Sequence, residues 1–398
     1  MRALIAGGGI GGLTTALALH RIGIEVEVLE RAAIVKEVGA GIQLSPNAMK
    51  VLGALDLETD LLKTAFEPQQ LEMRLGRSGR KIFSIPAAES ARRRWHAPYL
   101  NIHRSDLLGV LLKAVNGARG VTLRLGAKVV GYDTHAAGVS VRLADKTVLA
   151  GDFLVGADGL HSMVRTQMVG ADKPTYTGNM AWRATVPLDQ LGATLPPPTA
   201  CIWVGKKRHA VTYRLREGAL ANFVGVVEGP QDGMETWTET GKRSLALRDF
   251  DGWNPVITTL IQNASRLYRW PLFDRTPLGR WHDERVVLIG DAAHPTLPFL
   301  AQGAAMAIED AFILSRLMGE SGTQPAISGL HAERIQRTSR IRLASRTNMG
   351  LFHRSHWFSQ LATYGPIWLA GRLMPSVVQS RQDWIYRYDA TGRRGSPV

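Results

Sequence analysis

The chain has 398 residues, 45% of them hydrophobic and 21% charged, which excludes a disordered segment or a small disulfide scaffold and leaves enough apolar material for two joined domains. Its 48 Lys+Arg against 34 Asp+Glu give a formal net charge of +14; the basic residues are dispersed in short runs such as Arg92-Arg93-Arg94, so the expectation is a solvated surface that steers anions rather than a nucleic-acid interface. The single cysteine, Cys201, can form neither an intramolecular disulfide nor a cysteine-based zinc site, and is expected as a small core side chain in a reducing cytoplasm.

The first predicted element begins at once. Arg2-Ala3-Leu4-Ile5-Ala6 reads as a buried strand with no room for a cleavable leader, and no apolar run of about eighteen residues is available to span a bilayer, so a soluble, unprocessed chain is expected. Residues 10–22 read as a helix and Glu25-Val26-Glu27-Val28-Leu29-Glu30 as a second strand, the order of a parallel β-α-β unit. Between them Gly7-Gly8-Gly9-Ile10-Gly11-Gly12 satisfies G-x-G-x-x-G. Glycines permit the tight turn and a close backbone approach to a pyrophosphate, which the helix N-terminus then stabilises. Glu30, at the end of the second strand, is placed to accept hydrogen bonds from a ribose and disfavours a 2′-phosphate, so the nucleotide should be FAD or NAD.

A helix over about 105–116, capped by Ser105-Asp106, leads to alternating strands across 121–149 and to a buried strand that starts at Phe153. Asp158-Gly159-Leu160-His161-Ser162-Met163-Val164-Arg165 follows as D-G-x-x-S-x-x-R; an Asp-Gly pair after a strand is by itself often only a turn. Residues 175–271 change to alternating, aromatic-containing segments, the pattern of an antiparallel sheet laid over the first domain. Arg285-Val286-Val287-Leu288-Ile289 then returns as a strand and exits through Gly290-Asp291-Ala292-Ala293-His294-Pro295. Pro298, Gln302 and Gly303 lead into an apolar helix over 304–318 that carries Glu309-Asp310. Asp291 would leave its strand pointing at ligand hydroxyls, and Gly303 opens a helix whose N–H groups could face a developing anion. Residues 331–349 continue as an amphipathic helix.

Three such motifs in this order resemble the single-component flavoprotein aromatic hydroxylases, the family of 4-hydroxybenzoate hydroxylase. The branch with salicylate 1-hydroxylase, 3-hydroxybenzoate 6-hydroxylase and 6-hydroxynicotinate 3-monooxygenase is the most similar. The resemblance extends to Glu37-Val38-Gly39-Ala40-Gly41-Ile42-Gln43 with Pro46-Asn47, to His103-Arg104-Ser105-Asp106-Leu107, and to Asp383-Trp384-Ile385-Tyr386-Arg387-Tyr388-Asp389. It implies an α/β fold: a Rossmann-like FAD-binding domain over 1–69, 99–174 and 272–345, an inserted antiparallel-sheet substrate domain over 70–98 and 175–271, and a helical tail over 346–398. It implies that Gly7, Gly9, Gly11, Gly12, Glu30 and Arg31 hold the ADP part of FAD. Arg104 would contact the ribityl-pyrophosphate region, Val129 the adenine through its backbone, and Asp291 the ribityl chain. Pro298, Gly303 and Ala304 would border the isoalloxazine, with Gln43 beside it, and Asp158 would serve FAD and NAD(P)H together. Arg31 and Arg104 can also be read as surface ion-pairing arginines.

For substrate, the informative run is Arg208-His209-Ala210-Val211-Thr212-Tyr213. Period two in a strand puts positions 209, 211 and 213 on one face, so the imidazole and the phenol would point the same way. Related hydroxylases have a similar His-x-x-x-Tyr run, which implies His209 as general base and Tyr213 as orienting partner; a structural histidine is the plainer reading. Arg183 is a candidate for a substrate carboxylate or for an ordinary salt bridge. Gln43 and Phe299 stand where the 6-hydroxynicotinate enzymes carry histidines, and Pro298 where the 3-hydroxybenzoate enzymes have glutamine, so neither specificity transfers. The implied reaction is hydroxylation of a small phenolic or heteroaromatic acid with non-covalent FAD, NADH or NADPH and O₂, through a C4a-hydroperoxyflavin. No metal, nucleic acid or membrane is expected, and a homodimer is left open. A flavin oxidase or reductase on the same scaffold, or a non-catalytic NAD-binding redox sensor, are the rival readings.

Overall fold

The computed structural model describes residues 1–34, 41–232, 239–354 and 356–392; Glu37 to Ala40 of the resembling run Glu37 to Gln43 lie outside the described residues. Arg2–Ala6 is the centre of a six-stranded sheet, paired in parallel with Glu25–Leu29 on one side and Phe153–Gly156 on the other. Val121–Arg124 ends it on one side, and Val286–Leu288 followed by the antiparallel His282–Asp283 on the other. Its central strands are continuously apolar because both faces are covered. Ala3, Ile5, Val26, Val28 and Val155 pack under the helices Ile10–Arg21, Arg104–Gly117 and Gly303–Ser321. Leu4, Ala6, Leu154 and Leu288 pack on the opposite face against the three-stranded antiparallel sheet formed by Val129–His135, Gly138–Leu143 and Val148–Gly151.

A seven-stranded sheet forms the second layer, in the order Tyr268–Asp274, Thr175–Pro187, Leu220–Glu228, Arg208–Leu215, Ala200–Gly205, Gln70–Leu75, Lys81–Pro86. It is antiparallel except where Ala200–Gly205 meets Gln70–Leu75 in parallel. Two helices, Arg243–Asp249 and Pro255–Asn263, interrupt a region that alternation alone reads as strand. They are required because the outer sheet face carries Met180, Trp182, Trp203 and Phe223, which bury against Phe250, Ile257 and Leu260 of this helical segment. Pro255 at the first helical position and Asn254, whose side chain accepts the Val256 N–H, start the second of them.

The helix expected at 105–116 begins at Arg104 instead, with His103 as its N-cap. The proposed cap residues are used otherwise: Ser105 Oγ lies 2.6 Å from His103 Nδ1, and Asp106 takes a two-pronged contact from Arg216 of the second layer at 2.9 Å. The helix Thr323–Phe352 runs for 30 residues, so the expected boundary at 345/346 falls inside it. Beyond it come the helices Trp357–Leu373, Pro375–Ser380 and Asp383–Tyr386. Asp383 fastens this end to the helix Glu89–Trp95, accepting from Arg94 at 2.8 and 2.7 Å and from the Trp95 indole at 2.8 Å. Among the described residues, no helix is long and apolar enough to cross a membrane.

Candidate functional site

The glycine loop is built by close approach. Gly7 has φ of +108°, and a Cβ there would lie 2.4 Å from the Ala157 carbonyl oxygen; one at Gly12 would lie 1.9 Å from the Gly7 oxygen. A Cβ on Gly9 would meet nothing within 4 Å, so this side of the loop is free to face a ligand. Gly11 packs on Ala307, tying the loop to the helix Gly303–Ser321. Glu30 is held by two backbone donors, Gly8 N–H at 2.7 Å and Ala32 N–H at 2.8 Å, with lone pairs left for further donors. Arg31 is exposed beside it. Ala127 N–H donates to the Glu30 carbonyl at 2.8 Å, which brings the start of Val129–His135 to the same end of the sheet.

The D-G-x-x-S-x-x-R motif satisfies much of its polarity internally. Asp158 accepts from Met163 N–H at 2.8 Å, Val164 N–H at 3.1 Å and Ser162 Oγ at 2.5 Å, capping the helix Met163–Val169. Ser162 Oγ in turn accepts the Arg165 N–H at 2.8 Å. The Arg165 guanidinium donates to the Leu160 carbonyl at 2.7 Å and reaches the Asp291 carbonyl at 3.4 Å. The second motif is thus a brace between the glycine loop and the third motif.

Asp291 behaves differently. Its side chain is exposed to the cleft although protein crowds it, and among the described residues its carboxylate accepts no hydrogen bond. Burial pushes its carboxyl above the usual range, opposed by His294, Arg104, Arg275 and Arg165. A Cβ on Gly303 would lie 4.0 Å from Asp291 Oδ1, so the helix Gly303–Ser321 starts beside this carboxylate. That helix has no side-chain cap, and the N–H groups of its first turn, at Gly303 and Ala304, have no acceptor within the helix. Pro298 is exposed in the preceding turn, Pro298–Leu300. An uncapped helix end, a carboxylate that accepts no hydrogen bond among the described residues and a glycine loop are a donor and acceptor set that fits FAD.

Across the cleft, His209, Val211 and Tyr213 share the inner face of the second sheet. Ala210 is packed in the outer cluster, and Thr212 Oγ1 accepts from the Trp203 indole at 2.9 Å. The His209 ring sits 5.4 Å from Phe299 and 5.1 Å from Phe352, so it meets both the Pro298–Leu300 turn and the end of the long helix. Its Nδ1 lies 2.8 Å from His353 Nε2, and His353 Nδ1 lies 3.2 Å from Glu228 Oε1. Nε2 of His209 has no protein partner among the described residues. Burial holds His209 well below the usual imidazole range, with repulsion from His353 in the same direction.

Tyr213 is also buried, and burial pushes its phenol up to about 12 while Arg183 pulls it down. Its hydroxyl has no hydrogen-bond partner among the described residues. A Cβ on Gly41 would lie 2.5 Å from its ring. Arg183 donates to the Gly41 carbonyl at 3.3 Å and lies over Trp270, 5.9 Å from the ring centroid. Asn222 accepts the Gly41 N–H at 2.8 Å. Gly41 therefore docks the strand Gly41–Leu44 onto the second sheet, and Gln43 projects from that strand with a long contact to Asn101 at 3.4 Å.

Glu309 and Asp310 secure the floor. Arg334 contacts Glu309 at 2.6 Å and Asp310 at 2.7 Å, Arg337 contacts Glu309 at 2.7 Å, and His294 Nε2 lies 2.5 Å from Asp310. Asn47, singled out in the sequence with Pro46, donates to Glu309 at 2.6 Å and to Gln302 at 3.0 Å. The residues that sequence reading missed are Asn222, Glu228, Trp270, Phe352 and His353. Only strand pairing could have found Asn222, which faces Tyr213 in register, and no local signal marks His353.

The FAD binding domain family matches residues 1–341. The 3-amino-4-hydroxybenzoate 2-monooxygenase of Streptomyces platensis is 34% identical over 394 residues, covering 98% of this chain and 96% of that protein. The 3-hydroxybenzoate 6-hydroxylase 1 of Aquipseudomonas alcaligenes is 37% identical over 349 residues, covering 86% and 87%. A solved structure of a Klebsiella pneumoniae HpxO variant complexed with FAD aligns with a TM-score of 0.85 at 26% identity, covering 97% of this chain and 99% of that one. With matches of this extent on a site that fits the cofactor, the chain belongs to the FAD-binding domain family, as one of its flavin-dependent aromatic monooxygenases.

Proposed function

We propose that this protein hydroxylates the ring of a small phenolic acid, with NADH or NADPH as reductant and O₂ as the oxygen source, in a cytoplasmic setting. The observation that carries this reading is that His209 Nε2 and the Tyr213 hydroxyl belong to two buried residues on one sheet face and have no protein partner among the described residues. FAD, when bound, supplies the redox chemistry and the activation of oxygen. Gly7, Gly9, Gly11 and Gly12 would admit its pyrophosphate, Glu30 and Asp291 would accept from its ribose and ribityl hydroxyls, and Gly303 and Ala304 would offer N–H groups to its ring. Arg31, Arg104, Val129, Gln43, Pro298 and Asp158 would complete the cofactor's surroundings.

His209 Nε2 takes the phenolic proton, which makes the ring electron-rich, and Tyr213 donates to the resulting oxygen. Arg183 meets the substrate carboxylate from the edge of the same sheet face. Phe299, Phe352 and Val211 exclude water from the reacting ring. The relatives are named for hydroxybenzoates, and a guanidinium set across the sheet from an imidazole suits an acid of that class.

The test is a screen of hydroxybenzoates and hydroxypyridine acids for stimulated NAD(P)H oxidation under labelled O₂. One oxygen atom of the product should carry the label. Substrate-stimulated oxidation with no label in any organic product would favour an oxidase or reductase instead.

A further inference from the structure

A chain of hydrogen bonds runs from the rim of the second sheet to its inner face. Glu228 ends the strand Leu220–Glu228 with its side chain 37% exposed, whereas the side chain of His353 is 3% exposed. The carboxylate can only accept, so His353 carries its proton on Nδ1 and presents a lone pair at Nε2. That lone pair requires a donor, which assigns the proton of His209 to Nδ1 and leaves His209 Nε2 as the basic atom. Glu228 thereby sets the tautomer of an imidazole with which it has no contact.

The surroundings suit transfer along this line. Phe299 and Phe352 pack against the His209 ring, and among the described residues the polar partner at its Nδ1 edge is His353. Among the described residues, Glu228 and Arg208 are charges that act on His353, and Lys207 Nζ lies 4.0 Å from Glu228 Oε2 at the rim. Burial keeps both imidazoles below the usual range, so both are neutral at rest.

We propose that Glu228, His353 and His209 form the proton exit of the substrate site. The idea rests on the reading of His209 as the base. The phenol O–H breaks as an N–H forms at His209 Nε2; the Nδ1 proton of His209 passes to His353 Nε2, and the Nδ1 proton of His353 passes to Glu228, which returns it to solvent. No electron changes hands, and the net products are a bound phenolate and a proton in water. Reprotonation of the product phenol runs the chain backwards and restores both tautomers. His353 and Glu228 are positioning residues, since neither touches the substrate.

The experiment uses the oxidised holoenzyme and a hydroxynitrobenzoate, whose phenolate absorbs in the visible, mixed rapidly in the presence of a pH indicator. In the wild type, the phenolate should form on binding and a proton should appear in solution with it. In Glu228→Gln and His353→Gln both signals should slow by about 10- to 100-fold, with probe affinity and the rate of flavin reduction by NAD(P)H unchanged. Acetate should restore part of the rate in Glu228→Gln, because the lost carboxylate stands at the exposed rim; a merely structural defect would not respond. Wild-type rates in both variants overturn the relay and leave His209 as the base. Phenolate formation that survives in His209→Ala, or that fails in the wild type, overturns the base assignment and the relay with it.

Discussion

At the scale of single residues, the environment of His209 changes its expected titration. A free imidazole titrates near pH 6.5, and on that basis hydroxylation should fall through this value. Burial and the adjacent His353 lower the His209 value instead, which favours the neutral, basic form. The ring-hydroxylation step should therefore stay level through about pH 6.5 and decline only in more acidic solution. Rapid-mixing rates as a function of pH check this, and a midpoint near 6.5 would contradict it. In His209→Ala the same step should slow by about 10²–10⁴-fold, with flavin reduction spared and more peroxide released. Glu30→Ala and Asp291→Ala should each weaken FAD binding by about 1–3 kcal/mol, measured by flavin titration. They should differ in the apoprotein. Glu30 braces Gly8 and Ala32, so its loss should also lower the unfolding temperature, whereas Asp291 has a raised carboxyl and accepts no hydrogen bond among the described residues, so Asp291→Ala should not.

At the scale of elements, stability concentrates where the helix Gly303–Ser321 crosses Thr323–Phe352. Arg334, Glu309 and Asp310 are fully buried, and His294 and Arg334 hold the Asp310 carboxyl down to about 2 against the cost of burial. Removing the guanidinium leaves two interior carboxylates short of a partner. Arg334→Met should cost about 3–5 kcal/mol in denaturant unfolding. The exposed pair between Arg142 and Asp133 provides the contrast, because Arg142→Met should cost less than about 1 kcal/mol. The carboxyl of Asp310 is depressed in the folded state, so its contribution is present above the usual carboxylate range and is lost as pH falls toward about 2. Equal losses from the two substitutions would show that this crossing is not where the fold is held.

At the scale of the whole molecule, the cleft lies between two layers joined by long-range contacts. Arg183 to the Gly41 carbonyl, Asn222 to the Gly41 N–H and Arg216 to Asp106 all cross from the second sheet to the nucleotide-binding layer. The arrangement also bears on how the flavin is held. Cys201, the single cysteine, is buried in the outer cluster, where burial raises its thiol, and His294 directs Nε2 to Asp310. Neither offers a free nucleophile to the flavin, and the FAD is expected to be non-covalent. Unfolding in denaturant should release all flavin through a size-exclusion filter, and colour retained with the unfolded chain would contradict this.

The sequence by itself determined the features whose physics is local. Gly7 and Gly12 are required by backbone contacts within one strand-turn-helix unit, Glu30 ends the adjacent strand, and period two alone puts His209 and Tyr213 on one face. The same locality explains the misreadings. Ser105-Asp106 has the composition of a cap, but its side chains are taken by His103 and by Arg216, and alternation over 175–271 conceals two helices that exist because an apolar sheet face needs cover. Only the tertiary structure decided which groups oppose one another: His353 stands 144 positions from His209, and Gly41 reaches Asn222 across 181. Those contacts depend on how two layers close over a cleft, and no spacing along the chain encodes that closure.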